Sequence, residues 1–315
     1  MLLAYATRIN KIVVNCNVYH HQQGYITLNF SRITCFFLLL FPSISHATSQ
    51  QIPPVLVTLP PLSGLVLALS PDLNIQCLLP NNADPHHFQL TPRQVNHLQH
   101  ATLLVRSPRD DQSWAMLQPA APTFSLWQEH ENTPDTLTDA HEHEHTDSHA
   151  WLNPKLVASE LPHLAEALIQ SNPANEQNIQ KQLKRSQQQT KNTWQQWQDM
   201  VKAQQLKQRG VMMQHPSWRG LFEALGVPIR GVLESSQHGQ EYGPRKLEKA
   251  LQVLKEYPKT ILIADSNHSN RALKWLQKHS SNTMIQLDAL GACGEPWQHL
   301  MQRNLKTLST LSVMP

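Results

Sequence analysis

Eighteen histidines in a chain of 315 residues are the first chemical signal. They are densest in "DAHEHEHTDSHAWLNP", residues 139–154. His141, Glu142 and His145 match H-E-x-x-H, in which two imidazoles one helical turn apart hold zinc and the glutamate acts as base. That chemistry needs a buried helix. Here Thr136, Asp139, Glu144, Thr146, Asp147 and Ser148 surround the match, and Pro134 stands upstream. No apolar face is written into the tract, so a polar loop over 128–148 is expected in place of a protease helix. His130, His141, His143 and His145 are then candidates for holding further ions weakly. The alternative is a plain acidic linker.

Four other positions carry donors at more telling places. Short apolar runs at 55–59, 74–80, 101–107 and 122–127 alternate with helical stretches, as do "GVMMQ", "VPIRGVLE", "KTILIAD" and "NTMIQLDAL" in the back half. Such alternation predicts parallel sheets covered on both faces. Between the halves, residues 173–209 lack glycine and have a narrow apolar stripe of Ile179, Leu183, Trp194, Trp197 and Val201. One helix is expected there, started by Asn172 and Pro173 and ended by Gly210. At 1.5 Å per residue it would be about 50 Å long, a spine between two lobes. The expected fold is α/β: two lobes, each a roughly four-stranded parallel sheet flanked by helices, joined by this helix. The expected division is 1–47 as leader, 48–172 as first lobe, 173–209 as linking helix and 210–315 as second lobe.

Ligands of open parallel sheets bind beyond the carboxyl ends of the strands. His86 or His87 follows the second run, and His149 follows the fourth run and the polar loop. His215 follows "GVMMQ", and Asp265 ends "KTILIAD". Three imidazoles and one carboxylate, two groups from each half, make a tetrahedral zinc site without an open position. Singly, each has a plainer role: surface turn for His86 and His87, helix cap for His149 and Asp265, loop for His215.

In this order the segments resemble the metal-specific substrate-binding proteins of bacterial ABC importers, the zinc-uptake branch in particular. "ADPHHFQLTP" is similar to the family's D-P-H segment and marks His86 over His87. "SHAWLNP" marks His149, "MMQHPSWRGLFEALGV" marks His215, and "ILIADSNHSNRALKWL" marks Asp265. "LDALGACGEPWQHLMQRNLKTL" is like the family's ending. The resemblance spans residues 54–311. It implies two α/β lobes on a rigid helix, metal between them, capture in the periplasm and delivery to a membrane permease. Manganese members tend to carry a carboxylate where this chain has His215, so the resemblance points to zinc. Two departures stand out: "LLVRSPRDDQSW" lacks the usual Gly and Glu, and His268 stands where an aromatic is usual. His268 could compete with Asp265 or support it from outside the metal's own ligands.

The first residues read as a leader. Arg32 precedes an apolar run from Ile33 to Phe41, and Ser45-His46-Ala47 is a small-x-small cleavage site. A secretory signal cut after Ala47 is expected, the run being too short to span a membrane. Residues 1–30 look like neither signal nor domain. Residues 1–47 contain Arg8, Lys11 and Arg32 and no acid, so removing them takes the formal charge from +3 to zero. A neutral chain has no electrostatic footprint for nucleic acid. Cys77 and Cys293 remain after the cut. An exported pair can form a disulfide; the alternative is two small buried hydrophobes.

These readings lead to one expectation: a periplasmic, monomeric protein that captures Zn²⁺ with His86, His149, His215 and Asp265 and hands it to an ABC permease. It would perform no catalysis and stay out of the membrane. Because binding needs neutral imidazoles, affinity should fall as pH drops through about 6.5. An importer protein for another metal (Mn²⁺, Fe²⁺, Ni²⁺ or Cu⁺) is the nearer alternative. A secreted zinc hydrolase, with Glu241 as its base, is the more distant one.

Overall fold

Strands here are short and almost wholly apolar because both of their faces must be covered. In the computed structural model, residues 54–111, 114, 119–128, 149–234 and 243–311 are described. The front half contains β1 (Val55–Val57), α1 (Pro60–Leu69), β2 (Ile75–Cys77), α2 (Pro92–Gln99), β3 (Leu103–Arg106), β4 (Thr123–Ser125) and α3 (Pro154–Ser171). Then come α4 (Glu176–Ala203) and the short α5 (Leu206–Arg209). The back half contains β5 (Val211–Met213), α6 (Arg219–Ala224), β6 (Ile229–Val232), α7 (Pro244–Glu256), β7 (Ile261–Asp265), α8 (Arg271–His279), β8 (Met284–Leu287) and α9 (Trp297–Ser309).

The strands form two four-stranded sheets, in the orders β2-β1-β3-β4 and β6-β5-β7-β8, with every pairing parallel. The same strand order occurs in both lobes. α2 begins as its residues dictate. Thr91 Oγ1 accepts from the Gln94 backbone N–H, while Gln94 Oε1 accepts from the Thr91 N–H, and Pro92 follows at a position needing no donor.

The linking helix is shorter than the sequence pattern predicts. α4 covers 28 residues, about 42 Å at 1.5 Å per residue. Pro173 starts a separate 3-10 turn (Pro173–Asn175), and Gln205 adopts φ 51°, a left-handed conformation that ends the helix before α5. Gly210, at φ 72°, ends α5 instead. The buried face of α4 also differs from a purely apolar stripe. Ile179, Trp197 and Val201 are buried, but the middle of the face is Ser186, Thr190 and Thr193. Their hydroxyls are satisfied locally: Ser186 donates to the Ala68 carbonyl of α1, Thr190 to Ser186, and Thr193 to Gln189. Small hydrogen-bonded residues let helices approach at no desolvation penalty.

Several contacts tie the halves together. Trp151 Nε1 donates to the Ala289 carbonyl, and Trp297 Nε1 donates to the Trp151 carbonyl, both at 2.7 Å. Trp197 of α4 stacks on Trp218 with ring centroids 5.6 Å apart. Cys77 at the end of β2 is disulfide-bonded to Cys293, with Cα atoms 5.9 Å apart. Beside it, the Cys293 N–H donates to Asn81 Oδ1 and the Gly294 N–H to Ser63 Oγ. Gly64 of α1 must lack a side chain, since a Cβ there would lie 2.5 Å from the Glu295 carbonyl oxygen. The predicted leader and cleavage site at Ala47 lie outside the described residues.

Candidate metal centre

The back half presents His215, Glu234 and Asp265 at three strand ends. His215 follows β5 by two residues and is 4% exposed. Its Nδ1 lies 3.5 Å from Glu234 Oε2, and its Nε2 is buried without a hydrogen-bond partner. Glu234 follows β6, and its Oε1 accepts from Gln214 Nε2 at 2.6 Å. Asp265 closes β7 and is buried. Both its oxygens are engaged: Oδ2 accepts from Ser217 Oγ at 2.6 Å, and Oδ1 from the Asn267 N–H at 3.0 Å. Burial raises the Asp265 pKa, outweighing the opposing pull of His268 and of these hydrogen bonds.

In the front half, His86 stands on the turn after β2. Its N–H donates to Asp84 Oδ1 at 2.9 Å, a local turn that fixes the backbone. The residue is exposed at the crevice lip, with its ring 5.2 Å from that of His215. His87 points away, its side chain 69% exposed. His149 adopts φ 59°, immediately before a 3-10 turn that leads into α3. A left-handed histidine is uncommon and needs support. Asp110, buried in the loop after β3, supplies it by accepting the His149 N–H at 2.8 Å. The same oxygen lies 3.7 Å from His149 Nδ1, which has no hydrogen-bond partner. Asp110 is braced by Ser107 Oγ at 2.6 Å, and its neighbour Asp111 by Arg106. The segment that departs from the family pattern thus packs through its own acidic pair.

From these positions the rings converge. His149 lies 5.3 Å from His215, and His268 stacks on His215 at 3.9 Å with planes 9° apart. His86, His215 and His268 each bring one ring nitrogen within 4.8 Å of the other two. Neither His149 nor Asp265 belongs to that closest trio; His149 adjoins it through His215, and Asp265 lies behind it on Ser217. Burial pushes His149 down to about 3 and His215 well below the usual histidine value, with neighbouring imidazoles adding to both shifts. Burial also lowers His86, although Asp84 pulls the other way. Desolvation penalises the charged form, so these rings stay neutral well into acid. Neutral nitrogens with unused lone pairs in a buried cluster are what a borderline divalent cation needs.

Asp110 and Glu234 are carboxylates that the sequence reading passed over. Each follows a strand within four residues, the same signal that found the histidines. His130, His141, His143, His145 and Glu241 lie outside the described residues.

The family model described as "ZnuA: Zinc-uptake complex component A periplasmic" matches residues 55–311. The chain belongs to this family. Its members are metal-binding transport proteins, which agrees with a crevice lined by imidazoles. A comparison with curated protein sequences finds no significant match. Among solved structures, a crystal structure of ZnuA is 22% identical with a TM-score of 0.68, covering 81% of this chain and 98% of that one. The laminin-binding protein Lmb of Streptococcus agalactiae, a bifunctional adhesin and metal transporter, is 20% identical with a TM-score of 0.67, covering 81% and 97%. A Mn-bound periplasmic metal-binding protein from Candidatus Liberibacter asiaticus is 13% identical with a TM-score of 0.66, covering 81% and 98%. At these identities the likeness is one of fold: two parallel α/β lobes about a long helix. Among the described residues no helix is long and apolar enough to cross a membrane.

Proposed function

We propose that this protein captures Zn²⁺ in the periplasm and delivers it to an ABC permease, without catalysis. His86, His149 and His215 supply three nitrogen donors, and the fourth comes from the end of β7, where the sequence pattern marks Asp265, or from the turn just beyond it. The observation that carries the reading is the buried His215 Nε2, which has no hydrogen-bond partner, on a ring 5.3 Å from the buried His149 ring of the other lobe. Leaving such a nitrogen unsatisfied is costly in a finished core, and a bound cation resolves it. Four donors fill a tetrahedral sphere and leave no position for a reactive water, which supports carriage over hydrolysis.

Nitrogen donors also favour zinc over the harder Mn²⁺ carried by one structural neighbour. The test is elemental analysis of protein taken from the periplasm, followed by calorimetric titration of the metal-free chain. One tightly bound zinc, lost in His149→Ala and His215→Ala, is expected. Tight manganese uptake in preference to zinc, or unchanged binding in both variants, overturns the reading.

A further inference from the structure

His268 is the ring that the sequence pattern leaves without a settled role, and the structure places it at the centre of the cluster. The turn carrying it is fixed at both ends. The Asp265 N–H donates to Asn270 Oδ1, Asn270 Nδ2 donates to the Asp265 carbonyl, and the Ser266 N–H donates to the Leu287 carbonyl. So held, the His268 ring lies face to face with His215, 3.9 Å away. Imidazole lone pairs lie in the ring plane, so one of the two rings tilts out of this stack when both bind a single ion.

Both rings also turn the same nitrogen to one carboxylate. Glu234 Oε2 lies 3.5 Å from His215 Nδ1 and 3.9 Å from His268 Nδ1. Gln214 clamps the other Glu234 oxygen at 2.6 Å, and the Glu234 N–H donates to the Gln214 carbonyl at 2.8 Å. Asp84, which shapes the His86 turn, approaches His268 Nδ1 from the opposite lobe at 3.8 Å. A carboxylate beside Nδ1 keeps the proton on that atom and frees Nε2 as the metal donor. Asp265, by contrast, lies outside the closest trio of donors and accepts from Ser217 and Asn267.

We propose that His268, not Asp265, is the fourth donor to the cargo ion, and that Glu234 is a positioning residue that orients His215 and His268 together. This rests on the zinc-capture reading above. The resulting sphere is His86, His149, His215 and His268, all nitrogen. Its specificity follows from that composition: without a carboxylate oxygen it discriminates against Mn²⁺ more strongly than a sphere of three imidazoles and one carboxylate.

X-ray absorption at the zinc edge tests the assignment on the full chain loaded with one equivalent of zinc. Four imidazoles are expected in the wild type and three in His268→Ala, with Asp265→Asn leaving the count at four. Glu234→Gln should keep four imidazoles yet weaken zinc binding about 10–100-fold, the usual effect of losing a partner behind a ligand histidine. A fold defect alone would instead lower the melting temperature of the metal-free variant, which is read in parallel. In His268→Asp, competition titration should show a narrower preference for zinc over manganese. A wild-type sphere of three imidazoles and a carboxylate, unchanged by His268→Ala, overturns the donor assignment while leaving zinc capture intact. Failure of the wild type to bind one zinc overturns both.

Discussion

In the C-terminal lobe, His215 stands two residues beyond a strand, backed by Glu234 and Gln214 in a buried hydrogen-bonded chain. In the N-terminal lobe, His86 stands on an exposed turn nine residues beyond its strand, and His149 stands at the far end of a long polar segment in a left-handed conformation held by Asp110. The two sheets share one strand order, yet their donors are held differently. One lobe fixes its ligands through side chains packed on strand ends, and the other through backbone turns braced by aspartates. A rigid half-site opposite loop-borne partners suits an ion that must be both held and released, because loops open at lower cost than cores.

The sharpest way to break the contrast is to remove one donor from each side. His215→Ala should weaken zinc binding beyond the roughly 10–100-fold typical of outer partners. His86→Ala should cost less, since that residue is exposed at the lip. Competition against a chromophoric chelator measures both, and equal losses would mean that the two half-sites are equally rigid.

The disulfide comes next, as it ties the rigid half to the loop-borne half. Replacing Cys77 and Cys293 with serine should lower unfolding stability by about 2–5 kcal/mol, read by denaturant titration. Zinc affinity should change far less, because the Trp151 and Trp297 hydrogen bonds still join the lobes.

Asp110 offers a smaller but more specific effect through pH. Burial lowers His149 to about 3 and raises Asp110 to about 7. Below the unfolded value of 6.5, the unfolded state binds the histidine proton and the folded state does not, so His149 takes stability away as pH falls toward 3. Asp110 acts in the opposite sense. Between 7 and 3.8 the folded state holds the extra proton, so acidification stabilises it. The two slopes largely offset each other in the metal-free protein. In Asp110→Asn only the histidine slope remains, and stability should drop more steeply below pH 6.5, as thermal melts at stepped pH would show. An unchanged pH profile would mean that Asp110 titrates in the folded protein much as it does in the unfolded chain.

The smallest effect is expected from the polar tract. Deleting residues 130–146 should change zinc stoichiometry more than the tightest affinity, because the core donors belong to the lobes. Calorimetry of the deletion variant reads both quantities, and loss of the tightest binding would place the main site in the tract.

Strand positions were legible because each depends on local pattern. The limits of the linking helix were not. Nothing in "KAQQLKQRG" marks Gln205 as left-handed, yet the helix ends there and α5 begins. Asp110 and Glu234 went unnoticed for a related reason: an acid in a loop looks the same whether it faces water or backs a histidine.

The sequence by itself determined the donor chemistry. Imidazoles follow short apolar strands, His215 closely and His86 and His149 at the end of longer connections, on the side of each parallel sheet where ligands bind. Only the tertiary structure decided how they are arranged there. Which nitrogens are left without partners, which carboxylate stands behind which ring, and how His268 comes to lie on His215 all depend on residues far apart in the chain. Such pairings are set by how strand ends and turns pack within each lobe, and no local spacing encodes them.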